Sequence, residues 1–246
     1  MSASSKRGHP HEPHIQLGHY HLLLCYCPSG GVVMSENIHI TGASPDECWP
    51  LIRDYHYSRR MPSNIQHCYA FRKEGGLFGD SGEPIAAIIF SIPPTRWSED
   101  VLELSRLVRS PSCNLPLTAL ISKTYSWLRR SDWCLLVSFA DWTQHHHGGI
   151  YQAASWNFAG QRERQMDGVV VDGRFVPGRS ANSRWGTRSP SRLAALGVDA
   201  EPHYDEGKFL YWKPLNRAGK AKARRLGLEC QTYPKPDANI KLGDTA

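Results

Sequence analysis

The sequence predicts a mixed α/β (α+β) fold, a central sheet flanked by helices, with a basic C-terminal extension. Apolar runs of strand length, such as "PIAAIIFSI" and "CLLVSFA", are separated by a segment of helical periodicity, "LPLTALISKTYSWLRR". The central order, strand–strand–helix–strand–helix, is that of a mixed sheet rather than of all-helical or all-strand layers. Charge is lopsided: residues 1–160 carry 13 Lys+Arg against 13 Asp+Glu, and residues 161–246 carry 16 against 10, so the net +6 lies wholly in the tail.

At 246 residues, 40% hydrophobic and 21% charged, the chain suffices for one substantial domain with an elaborated tail. No apolar run reaches the ~20 residues of a membrane span. "LLLCYC" is too short for a signal-peptide core and is flanked by histidines. A cytoplasmic location is therefore expected, that of the host if the chain is phage-encoded. Seven cysteines at irregular intervals argue against a disulfide framework and for reduced thiols.

Residues 1–33 hold five of the twelve histidines, and "MSENIHITGASPDECWPLI" from Met34 reads as an independent beginning. We expect 1–33 to be a disordered or non-native extension, with Met34 the natural start. Residues 34–160 are expected to form a core and 161–246 a basic module packed on it.

"ENIHIT" predicts a strand, and "SPDECWPLIRDYH" a helix capped by Ser44 with Pro45 in its first turn. Strands follow at 68–73, at "PIAAIIFSI" and at "DVLELSRLVRS". "NLPLTALISKTYSWLRR" is an amphipathic helix with Asn114 as its cap candidate. "DWCLLVSFAD" is a buried strand, so residues 101–140 form a βαβ unit, and "GGIYQAASWNFAG" is expected as a helix closed by Gly160. "VVVDGRFV" is a hairpin around Asp-Gly, "SPSRLAALG" a short helix, "KFLYWKPL" a strand and "NRAGKAKARRLGL" a basic helix.

Ligands of such sheets sit beyond the carboxyl ends of the strands. That rule gathers Arg106, Arg109, Asp141 and the loop "DWTQHHHGG" at one crevice. Asp141, at a strand's end, suits a helix cap, an ion-pair partner of Arg106, a general base or a metal ligand. Tyr151 lies within reach across the loop, and one of His145, His146 and His147 beside Asp141 would serve as a proton shuttle. "DYHYSRRMPS" supplies His56 and Tyr57 as an opposite wall, with Arg59 and Arg60 facing phosphate or water. The basic tail suggests a polyanionic partner, most simply nucleic acid, through Lys220, Lys222, Arg224 and Arg225.

"HYSRRMPSN", "LELSRLV", "SFAD" and "GGIYQAASWNFAG", in that order, resemble the Mom family of phage DNA-adenine modification proteins over roughly residues 38–230. The match includes the tail, "GKFLYWKPLNRAGKAKARRLGL". The resemblance implies a GNAT-like acyltransferase fold. It also implies methylcarbamoylation, the conversion of adenine N6 in double-stranded DNA to N6-carbamoylmethyladenine, an anti-restriction modification. The positions it implies are His56, Tyr57, Arg106, Asp141 and Tyr151. Acetyl-CoA and iron are associated with the family; His56, Tyr57 and Asp141 are the tentative iron ligands. A CoA-using GNAT cradles pyrophosphate on a glycine-rich turn, but the matching connection, "VRSPSCNLPLTAL", has no glycine. Helix N-terminal N–H groups around Asn114 would have to hold the anion instead.

The product skeleton also suits an aminoacyl donor. A glycyl group transferred to N6 could attack C6 with its amine and open through a five-membered ring, leaving glycine's nitrogen on the purine. Glycyl-tRNA is such a donor. The target base must leave the duplex, and Trp142, Trp156 or Tyr57 are stacking candidates. The competing functions are an N-acetyltransferase acting on a protein or small amine, and a non-catalytic DNA-binding accessory protein.

Overall fold

A computed structural model describes residues 38–74, 81–93, 97, 100–144 and 146–235. The expectations for residues 1–33 and for His145 lie outside the described residues. β1 (Ile38–Gly42) leads into α1 (Pro45–Tyr55), and β2 (Ile65–Glu74), β3 (Ser81–Ser91) and β4 (Val101–Arg109) follow. α2 (Leu117–Leu128) crosses to β5 (Leu135–Asp141); α3 (Gly149–Ala153) and β6 (Asn157–Gln161) come next. β7 (Met166–Val171), β8 (Arg174–Pro177), α4 (Gly178–Trp185), α5 (Pro190–Ala195) and β9 (Glu201–Tyr204) precede β10 (Lys208–Pro214) and α6 (Arg217–Arg225).

Seven strands form one sheet in the order β1-β2-β3-β4-β5-β10-β6. Neighbours are antiparallel except β4 and β5, the parallel pair that the βαβ reading predicts. This is the mixed sheet flanked by helices that was expected. Residues after 160 contribute twice: β10 enters the large sheet between β5 and β6, while β8-β7-β9 make a second sheet.

Two faces of the large sheet are distinguished by what covers them. On the front, Ala87, Ile89 and Val108 pack with Leu51 and Ile52 of α1. Val101, Leu135, Val137 and Leu210 pack there with Ala223 of α6. On the back, Ile88, Phe90, Leu102, Leu104 and Leu136 pack with Leu120, Ile121 and Leu128 of α2 and with Tyr151 of α3.

α1 begins as the sequence predicts. Ser44 and Glu47 form a capping box, Ser44 accepting from the Glu47 N–H and Glu47 from the Ser44 N–H. Glu47 Oε1 also takes Nη2 of the buried Arg72 at 2.6 Å. Arg72 Nε donates to Thr41 Oγ1 and Nη1 to the Gly82 carbonyl, so each nitrogen of the buried cation has a partner.

Two boundaries differ from expectation. α2 starts at Leu117 after Pro116, and exposed Asn114 is not its cap. Pro116 already sets φ to −68°, and the helix has no side-chain cap. The helix expected up to Gly160 stops at Ala153, and residues 157–161 pair with β10 as strand β6. Tertiary pairing overrides helical pattern there.

α6 lies close to the sheet because Gly219 has no side chain: a Cβ there would collide with the Cys134 carbonyl oxygen. Gly219→Ala is expected to lower stability by about 1–3 kcal/mol, the usual cost of overpacking. Urea unfolding measures it, and an unchanged midpoint would mean α6 can lift freely.

Candidate active site at the parting of two strands

β4 and β5 are paired only at Val101–Leu135, Leu102–Leu136 and Glu103–Val137. Both strands continue, to Arg109 and Asp141, without pairing, so they part after Glu103. In the gap the Ser138 hydroxyl reaches the Leu104 carbonyl at 2.8 Å and stands 2.7 Å from Tyr151 Oη.

The register of β4 decides what faces the front. Phe90 pairs with Leu104 and Ile89 with Arg106, so Ser105 is an extra residue, a β-bulge. Strict alternation would turn Arg106 to the back with Leu104. The bulge instead gives Arg106 the face of its partner Ile89, and Glu103 shares the front with its partners Ser91 and Val137. Asp141 pairs with Lys208 two residues before front-facing Leu210, which places both on the front. The Ser91 and Ser105 hydroxyls bond across the bulge at 2.5 Å.

Arg106 is fixed by backbone: Nε donates to the Arg60 carbonyl at 2.9 Å and Nη1 to the Ser105 carbonyl at 2.6 Å. The Arg60 contact ties the loop after α1, with His56 and Tyr57, to β4. The second sheet reaches the same loop through α4, where Ser180 Oγ accepts from Arg60 and Arg179 donates to Ser63.

His56 Nδ1 accepts the Ser58 N–H at 3.1 Å, so the neutral ring carries its proton on Nε2. Burial, and then the charges of Arg106 and His146, push its pKa down to about 4. At neutral pH His56 is therefore a donor. Its ring stacks on Tyr57 at 4.5 Å, and Tyr57 meets His146 edge-on at 5.5 Å. Half of the Tyr57 surface is open. Burial and the negative charge of Asp141 raise its pKa.

Tyr151 is buried in the back core, its ring 5.1 Å from Tyr211 and 5.4 Å from Trp156. Burial pushes its pKa to about 12, with Tyr57 and Glu103 as smaller like-signed influences. Its hydroxyl meets Ser138 in the parting and stays neutral. Gly148 permits this placement: its φ is +80°, and a Cβ would strike the Tyr211 ring.

Asp141 does emerge at the strand's end, and Oδ1 accepts from the Thr143 N–H at 3.1 Å and from the Thr143 hydroxyl. The capping role weighed in the sequence is therefore present, while Oδ2 is left for other partners. The sequence reading did not single out Glu103. Burial raises its pKa against the opposing influence of Arg106, Lys208 and Arg179. An acidic residue inside the apolar strand "VLELSRLV" was the visible signal; the bulge that groups it with Arg106 was not.

Other expected site residues fall apart from the crevice or change role. Trp156 is wholly buried and unable to stack on an entering base; Trp142 packs on Phe209 at 5.4 Å. Lys222 pairs with Asp100 at 2.8 Å, its side chain mostly covered, whereas Lys220, Arg224 and Arg225 are exposed on α6. Arg59 and Arg60 are exposed.

The iron set does not fit. The Ser58 N–H occupies His56 Nδ1, so Nε2 carries the ring proton and offers no lone pair to a metal. Among the described residues no group of three His, Cys, Asp or Glu side chains could hold a metal. No helix is long and apolar enough to cross a membrane among the residues described.

A family model described as the Mom protein family matches residues 37–235. No curated protein matches the chain. Among solved structures the chain is similar to the ribosomal-protein-S18-alanine N-acetyltransferase from Escherichia coli, at 11% identity and TM-score 0.44, over 75% of this chain and 97% of that one. It is similar also to Arabidopsis thaliana NAA60 in complex with a bisubstrate analogue, at 12% identity and TM-score 0.45, over 73% and 100%. A third is a GNAT family N-acetyltransferase, YhbS, from Escherichia coli in complex with CoA, at 11% identity and TM-score 0.39, over 52% and 72%.

His56 is expected to titrate near pH 4 in the folded protein, read from its imidazole NMR signals. Because the folded pKa lies below the unfolded one, the unfolded chain takes up this proton first. Its contribution to stability is full above about pH 6.5, declines as pH falls toward about 4 and is flat below. A midpoint at the ordinary value would place the ring in solvent.

Proposed function

Because the chain belongs to the Mom protein family, we propose that it modifies DNA, converting adenine N6 in phage DNA to N6-carbamoylmethyladenine and so evading host restriction. The observation that supports this most is the front-face group at the strand parting. Half-buried Glu103 and fixed Arg106 lie there beside the half-exposed ring of Tyr57.

The adenine leaves the duplex and stacks on Tyr57. N6 attacks the carbonyl carbon of an activated acyl ester, and Glu103, a stronger base than an ordinary carboxylate, receives the proton N6 loses. Arg106 and the His56 Nε2–H supply donors for the oxygen on which charge develops. Asp141 shapes the loop that carries His146 to Tyr57: its carbonyl accepts the His146 N–H at 3.1 Å. Tyr151 and Ser138 offer hydroxyls within the parting. With a glycyl ester such as glycyl-tRNA the ester alcohol leaves as N6 is acylated, the glycyl amine then adds to C6, and the C6–N6 bond breaks, leaving glycine's nitrogen on the purine and the former N6 as the amide. An acetyl group from acetyl-CoA has no amine for this step and would give N6-acetyladenine instead. α2 has no side chain capping its N-terminal N–H groups, which are suited to a donor phosphate near exposed Asn114. Duplex DNA lies along α6, where Lys220, Arg224 and Arg225 meet phosphate.

Mass spectrometry of nucleosides from cells expressing the chain is expected to find carbamoylmethylated adenine. Unmodified adenine alone would refute the reading. Heavy-nitrogen glycine fed to the same cells also enters every purine ring, so a glycyl donor is expected to give the new base one heavy nitrogen more than the unmodified adenine beside it; equal labelling of the two bases would remove the glycyl donor.

Replacing both Arg224 and Arg225 with Ala is expected to weaken duplex binding and to flatten the log affinity against log salt slope by about 2. An unchanged slope would disconnect α6 from phosphate.

A further inference from the structure

A surface concavity of about 550 Å³ is built from the loop that carries His56 and Tyr57 together with the first turns of α1. Its apolar part is Pro45, Trp49, Met61 and Ile65; its polar part is Asp46, Arg59 and Arg60. α1 seats itself on the sheet with Cys48, Leu51 and Ile52, and Trp49 lies off that face, 38% exposed. The core therefore makes no demand for an indole there. Arg59 holds φ at +46°, a left-handed conformation that costs a non-glycine residue roughly 1 kcal/mol or more. Arg60 is held by its carbonyl on Arg106 and by a 3.4 Å contact from Nη1 to Ser180, leaving further guanidinium donors open.

A flat aromatic surface flanked by two guanidinium groups matches a nucleotide: a base has a π-face for the indole, and its phosphate has oxygens for the arginines. We propose that this concavity binds a nucleotide neighbouring the modified adenine, its base stacked on Trp49 and its phosphate held by Arg59 and Arg60. The Asp46 carboxylate accepts from an exocyclic amine of that base. The inference rests on the DNA-modifying reading. It adds a second contact on the substrate strand, joined to Arg106 through one loop.

The test is binding of a labelled single-stranded oligonucleotide to the full chain at several salt concentrations. Trp49→Ala is expected to weaken binding about 5- to 150-fold, the range of one base–aromatic stack, with the salt slope unchanged. Trp49→Phe, which keeps a π-face, retains most of the affinity. Joint replacement of Arg59 and Arg60 by Ala lowers the slope by about 1.4. Should Trp49→Ala not fold, Trp49→Leu keeps apolar bulk without the aromatic face and is expected to show the same loss. Wild-type affinity in the folded Ala or Leu variant overturns the proposal, as does efficient competition by an acidic peptide. Nucleosides from cells expressing the wild type judge the DNA-modifying reading separately. Stacking without modification removes that reading alone, and modification with no effect of Trp49 removes the concavity alone.

Discussion

β4 and β5 begin as a hydrogen-bonded parallel pair and separate after three residues, and one extra residue in β4 lies just beyond the last pair. Separation leaves main-chain groups without strand partners inside the sheet, a costly condition unless other groups meet them. Ser138 answers the Leu104 carbonyl, and the same hydroxyl stands beside Tyr151. The bulge then turns Arg106 onto the face of Glu103. Had β4 kept strict alternation, the guanidinium would lie against α2 in an apolar core, and the acid would stand without its strand neighbour.

The position of α1 matters as much, because His56 and Tyr57 directly follow it. Glu47 links the helix cap to Arg72 of β2, so one carboxylate both starts the helix and fixes it to the sheet. Enclosure around the crevice acts on its ionisable groups in one direction, toward neutrality: His56 is held unprotonated, Tyr57 and Tyr151 unionised. Neutral donors beside a half-buried acid whose proton affinity is raised, Glu103, favour transfer of a proton.

Much of this was legible in the chain. Capping residues at 44–47, the βαβ unit from β4 to β5 and the Asp-Gly hairpin each follow from short-range chemistry and stand where expected. Four short motifs in order pointed to the family that the chain's model match supports. Less local features were hidden. "GGIYQAASWNFAG" reads as helix because its apolar spacing is helical, and only pairing with β10, some fifty positions later, turns its end into a strand. Glu103 looked like the polar half of an alternating strand. Its role depends on a one-residue register shift that alternation alone does not encode, and on charges from β10 and α4. Lys222 looked no different from its basic neighbours, and a single acidic partner, Asp100, sets it apart.

β10 sits between two strands made long before it: β5 ends at residue 141 and β6 at 161, while β10 begins at Lys208. During synthesis β5 therefore waits, one edge bare, until nearly the whole polypeptide has left the ribosome, and the end of β5 that carries Asp141 is pinned only then. Such long-range closure slows folding and leaves an edge open to mispairing in the nascent chain. It also means that a truncated product lacking β10 would hold the four motifs of residues 56–160 and yet leave Asp141 without its Lys208 neighbour, so ribosomes that stall early would release chains with an unfinished crevice.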